Sequence, residues 1–129
     1  MAEPTAPSET ELDVLKCFWR DGDLSAREVQ DRIAGDLGWT SSTTRTVLER
    51  MRAKGLLTRR DVHGMAVYST AQPKTAVIGG LMKRLGALLD LDGPLPAAAF
   101  TGSQLLDADD IAALETLLAR STEGEDEPR

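Results

Sequence analysis

Five of the six residues in the stretch 40–45 are serine or threonine, and Arg45 closes the run. Short hydroxyl side chains allow close approach to a partner. They also hydrogen-bond base edges and phosphate oxygens, as a guanidinium does more strongly. This is chemistry for recognition rather than for bond breaking. The charge around it has the same sense. Residues 40–75 hold seven basic side chains against two acidic ones, while residues 1–39 and 76–129 are net negative by five and six charges. The total of -6 argues against a polyanionic partner only if charge is spread evenly. Salt screens charge beyond about 8 Å, so a phosphate backbone would respond to the basic block and not to the total. The acidic flanks weaken indiscriminate binding and aid solubility.

On a helical wheel of about 100° per residue, Thr44, Val47, Leu48 and Met51 share one side. Ser42, Thr46, Glu49 and Ala53 share the other, with Arg45 and Arg52 along one edge and Thr43 and Arg50 along the opposite edge. An apolar back with a small, hydroxyl-rich front is what a helix needs to sit deep in a major groove, and its first turn points free N–H groups at phosphate. The candidate contacts on this segment are Ser41, Ser42, Thr43, Arg45, Thr46, Arg50, Arg52 and Lys54. Thr46 and Arg45 are the candidates for base edges, and Ser42 and Thr43 for phosphate. Arg50 has an alternative, pairing with an acidic residue of the preceding helix. The plainer reading is a solvated face of a core helix. Serine and threonine are poor helix formers, and capping explains only part of the run. Arg59, Arg60 and His63 follow close behind and are candidates for phosphate or minor-groove contact, although neighbouring residues on a strand point to opposite faces.

Catalysis finds little material. His63 is the sole histidine and Cys17 the sole cysteine. Gly79 and Gly80 fall within an amphipathic pattern rather than a phosphate loop, and Asp107, Asp109 and Asp110 are explained by helix capping. The expectation is a protein that is not an enzyme and holds no metal and no cofactor. Cys17, beside Phe18 and Trp19, reads as a buried structural thiol. With no basic start before an apolar run and no apolar stretch of membrane-spanning length, the expected location is the cytoplasm, with no direct membrane insertion.

Five helices and two strands must position these residues. Residues 1–7 read as a disordered arm and 121–129 as an acidic tail. Ser8 with Glu11, and Ser25 with Glu28, form capping boxes that open the first two helices, which stop at Gly22 and Gly38. Ser41 or Ser42 would cap the third helix, which ends at Gly55. Residues 56–58 suit a strand, 61–64 a tight turn and 66–68 a return strand. The predicted fold class is mainly α with a small β-hairpin: a winged helix-turn-helix over residues 8–72, followed by a C-terminal helical dimerisation region over 73–120. The fourth helix, from about residue 74 to 89, carries Ile78, Leu81, Met82, Leu85, Leu88 and Leu89. Residues 90–96 break the chain. A fifth helix capped by Asp107 carries Ile111, Leu114, Leu117 and Leu118. These two stripes are the candidate dimer contacts. The alternative is a helix hairpin packing on the winged helix.

The run WTSSTTRTVLERMRAKG, residues 39–55, resembles the recognition-helix segment of the BlaI/MecI/CopY family of bacterial repressors. The matching positions are Trp39, Thr43, Thr46, Leu48, Arg50, Lys54, Gly55 and Leu56. Residues 24–29 match the start of the family's second helix, and residues 105–118 resemble its final dimerisation helix. The likeness spans about residues 8–120. It implies a homodimer, held by its C-terminal helices, on a palindromic operator in double-stranded DNA. It also implies release through a membrane sensor protease that acts indirectly and triggers cleavage in the C-terminal region. Copper-responsive members use clustered cysteines, which Cys17 alone does not supply. This chain departs from the pattern in having Met65 after the wing Gly64, Thr70 in place of a proline, Thr44 in place of a valine, and prolines at 94 and 96. Two other functions fit a winged helix: a protein-interaction adaptor that uses the third helix, and a regulator that senses a small ligand in the dimer interface.

Overall fold

The computed structural model describes residues 6–126, with residues 121–126 as backbone only. Residues 1–5 of the expected arm and 127–129 of the expected tail lie outside the described residues. The chain divides after Gln72 into two compact units.

The first unit runs α1 (Glu9–Asp21), β1 (Leu24–Ser25), α2 (Ala26–Leu37), α3 (Ser41–Ala53), β2 (Leu57–Val62) and β3 (Met65–Thr70). Both capping boxes form: Ser8 Oγ accepts from Glu11 N while Glu11 Oε1 accepts from Ser8 N, and Ser25 and Glu28 repeat the exchange. Gly38 ends α2 in the left-handed conformation, φ 63°, where a side chain would be strained. The cap of α3 differs from the expectation. Thr40, in extended conformation, accepts from Thr43 N at 3.1 Å, so Ser41 and Ser42 lie inside the first turn and their hydroxyls are left for other partners.

Two strands were expected and three are present among the described residues, in the antiparallel order β1-β3-β2. β1 is only Leu24–Ser25, too short to show an alternating pattern, and pairs with Tyr68 and Val67. The hairpin is longer than its sequence indicated. Val62 pairs with Met65, so the turn is His63-Gly64 alone, with both residues at positive φ as a two-residue hairpin turn of the right twist requires. Val14, Leu15, Phe18, Val29, Ile33, Leu48, Met51, Leu57 and Tyr68 are buried. Cys17 is buried too, and burial pushes its thiol up from its ordinary range. Arg32 of α2 bonds Asp21 at the end of α1 at 2.7 Å.

The second unit holds α4 (Lys74–Leu88), a 3₁₀ turn at Ala97–Phe100 and α5 (Ala108–Asp126). The 3₁₀ turn was not foreseen, and α5 continues into the segment assigned to the acidic tail. Asp107 caps α5 as expected, and Lys74 bridges to its first turn through Asp110 at 2.8 Å. The break is folded tightly. Leu91 N bonds Gly86 O and Leu95 N bonds Met82 O, bringing residues 93–94 back onto α4.

Candidate nucleic-acid interface

Helix α3 is held from behind by its apolar stripe. Thr44, Val47, Leu48 and Met51 are buried, as the wheel requires. Thr44 is fully buried and its hydroxyl donates to Thr40 O at 2.9 Å, so the hydroxyl that replaces a valine methyl is satisfied locally. The turn before α3 is fixed by Gln30 Nε2, which donates to Trp39 O at 3.3 Å.

The opposite face is open. Ser41, Ser42, Thr43, Arg45, Thr46 and Arg50 are all exposed. Thr46 Oγ1 donates to Ser42 O at 3.0 Å, so its outward side offers a methyl group and oxygen lone pairs rather than a donor. Arg45 and Arg50 carry no ion pair among the described residues, and the alternative pairing of Arg50 with α2 does not form there. Arg45 lines an open groove of about 1010 Å³ between the start of α2, α3 and the wing, together with Arg27 and Arg59.

The remaining candidates other than His63 are already engaged. Lys54 Nζ lies 2.6 Å from Glu11, which is 6% exposed, and joins the end of α3 to α1. Burial pushes the Glu11 carboxyl up, but the Lys54 ammonium and the Ser8 groups more than offset that and hold it below its ordinary value. Arg52 bonds Glu49 through Nε at 3.0 Å and Nη2 at 2.8 Å. Arg59 of β2 bonds the other Glu49 oxygen at 3.0 Å, and Tyr68 of β3 donates its hydroxyl to that same oxygen. Tyr68, Arg52 and Arg59 hold the Glu49 carboxyl well down, at about 2. Arg60 bonds Asp23 at 2.9 Å on the opposite face of the sheet from Arg59, as strand alternation requires. His63 sits exposed at the hairpin tip. Glu49 was placed on the front of the helix from sequence, but its part in joining α3 to the wing was missed. Its wing partners, Arg59 and Tyr68, lie on strands with no fixed sequence spacing to α3.

The candidate dimer stripes divide. Ile78, Met82, Leu114 and Leu118 are buried in this single chain, and Leu81, Ile111 and Leu117 are half-buried. Leu85, Leu88 and Leu89 are exposed, at 40%, 68% and 60%. Among the described residues no helix is long and apolar enough to cross a membrane.

Comparison with known proteins supplies the family. The penicillinase repressor family model matches residues 7–120. This chain belongs to the penicillinase repressor family. That membership makes it a DNA-binding repressor of transcription with a winged helix-turn-helix. A solution structure of the DNA-binding domain of the repressor BlaI is 26% identical, covering 57% of this chain and 90% of that one with a TM-score of 0.51. The Bacillus licheniformis BlaI monomer in complex with the blaP half-operator is 25% identical, covering 58% and 92%, also at 0.51. A MarR family protein from Bacillus stearothermophilus shares the fold at 15% identity and a TM-score of 0.50, covering 94% of this chain and 76% of its own. Comparison with curated proteins returned no match.

Proposed function

We propose that this penicillinase repressor family member is an operator-specific repressor that binds a palindromic site as a homodimer, with α3 of each protomer in the major groove. The observation that carries this reading is the outward face of α3, where the side chains of Ser41, Ser42, Arg45 and Arg50 are exposed without partners among the described residues. BlaI bound to its half-operator, a relative of similar fold, supports the same use of this unit. Two such helices would lie about 34 Å apart, one turn of DNA.

The exposed Leu85, Leu88 and Leu89 support a C-terminal dimer contact, since burying each leucine is worth about 1.5–3 kcal/mol. Release through a sensor protease pathway fits the same layout. A cut in the second unit would remove dimer contact, and each monomer would lose the avidity of two half-sites. Footprinting on the DNA flanking the protein's own gene tests the proposal. The expected result is protection of an inverted repeat, and uniform salt-sensitive binding without a footprint would contradict it.

A further inference from the structure

Glu49 stands in the middle of the DNA-facing side of α3, where a negative charge opposes phosphate. Its surroundings explain what it does there. One carboxylate oxygen takes both Arg52 bonds, and the other takes Arg59 and the Tyr68 hydroxyl. The four donor atoms belong to three residues of the first unit, Arg52 of α3 with two and Arg59 and Tyr68 of the wing strands with one each. Arg59 and Tyr68 are directly opposite each other across β2 and β3, so the sheet register presents them together. Arg45 and Arg50, on the same helix, have no such partner among the described residues. The basic side chains of α3 and the wing therefore fall into two sets, free and held.

We infer that Glu49 is a specificity-determining residue: by holding Arg52 and Arg59 it withholds two sequence-blind phosphate contacts and leaves affinity to depend on what α3 reads. This rests on the reading of α3 as the DNA-contacting helix. The physical basis is counterion release. Each guanidinium free to neutralise a phosphate adds affinity for every sequence alike and steepens the salt dependence, without adding discrimination. A carboxylate between two guanidinium groups reduces that contribution and also fixes the distance from the wing to α3. Glu49 acts through the two arginines and through Tyr68, so it is a positioning residue for them.

The test compares the full-length parent with Glu49→Gln, which keeps the shape of the side chain and an acceptor for Tyr68. Both are titrated by fluorescence anisotropy with the footprinted duplex and with a scrambled duplex across a salt series. The slope of log affinity against log salt on scrambled DNA should steepen by about 0.9 for each guanidinium released, and preference for the footprinted duplex should fall. In an R52Q/R59Q background, adding E49Q should leave the slope where it was. An unchanged slope for E49Q, or a steepening that persists without the two arginines, overturns the inference.

Two further measurements keep it falsifiable. On heparin, a polyanion with no base edges, E49Q should elute at higher salt than the parent only when both arginines are present. That result would sustain the clamp even if neither protein selects a sequence, an outcome that defeats the operator reading alone. Equal elution overturns the clamp. In the unmodified protein, the Nε–H signals of Arg45 and Arg50 should shift on adding scrambled duplex while that of Arg52 stays in place. A comparable shift of Arg52 overturns the inference without any variant.

Discussion

The Tyr68 hydroxyl donates to the Glu49 carboxylate at 2.5 Å, tying the middle of α3 to β3. With Arg52 and Arg59 on the same carboxylate, this bond sets a pH dependence. The Glu49 carboxyl titrates at about 2 in the folded chain, against 4.5 ordinarily. A depressed carboxylate stabilises the fold above its unfolded value, and the contribution is lost as pH falls toward the folded value. Glu49→Gln should therefore be less stable than the parent at neutral pH, with the gap closing between about pH 5 and about pH 2. Urea midpoints followed by circular dichroism check this. A gap that is constant with pH would contradict it.

Lys54 and Glu11 make a second link, between the end of α3 and the start of α1. Removing one partner of a buried pair leaves the other charge uncompensated. Lys54→Met should cost about 3 kcal/mol, the low end for such pairs because Lys54 is a quarter exposed. Replacing both, as Glu11→Gln with Lys54→Met, should recover part of the loss. Chemical denaturation of the three variants measures it. A Lys54→Met variant as stable as the parent would show that the pair contributes little.

Gly86 allows the break after α4 to fold. A Cβ there would stand 2.2 Å from Gly93 O and 2.9 Å from Pro94 Cα, both backbone atoms that cannot swing aside. Gly86→Ala should destabilise the second unit by about 1–3 kcal/mol, the usual cost of overpacking. Limited proteolysis should then cut residues 89–96 faster while the first unit stays resistant. Unchanged cutting would mean the break relaxes without cost.

The dimer proposal makes a separate demand. Leu117 approaches Gly79 across α4 and α5, so changing it would disturb the unit itself. Leu85 and Leu88 are exposed, and changing both to Asp tests association without opening that packing. Sedimentation should show a monomer with unchanged helical content. A variant that remains dimeric would place the contact elsewhere.

Much of this architecture was legible in the sequence because its signals are local. The capping boxes at Ser8 and Ser25, the stop at Gly38 and the stripe from Thr44 to Met51 each involve residues a few positions apart, and each forms as expected. What escaped depended on distant partners or on very short segments. β1 has two residues and exists only because β3 lies beside it. The cap is Thr40 rather than Ser41 or Ser42 because all three hydroxyl residues in succession can cap a helix, and backbone conformation overrides the slight preference for serine. The candidate interface was found as a set of residues, but its division into free and held cations was not. Lys54, Arg52, Arg59 and Arg60 read as available charges in a sequence. The carboxylate partners of Lys54, Arg59 and Arg60 come into place only in the fold, while Arg52 and Glu49 are an i,i+3 pair on one helix.

Reading of DNA by α3 is the central claim, and Arg45 and Thr46 carry it. Both are exposed, Arg45 without a partner among the described residues and Thr46 with its methyl group and lone pairs outward. Anisotropy titrations of Arg45→Ala and Thr46→Ala on the footprinted operator and on scrambled DNA, at matched salt, test it most directly. Arg45→Ala should lose on the order of 1–3 kcal/mol on the operator and relax preference at one base position, with little change on scrambled DNA beyond one phosphate's worth of salt dependence. If both variants bind the operator as tightly and as selectively as the parent, α3 is not the reading helix.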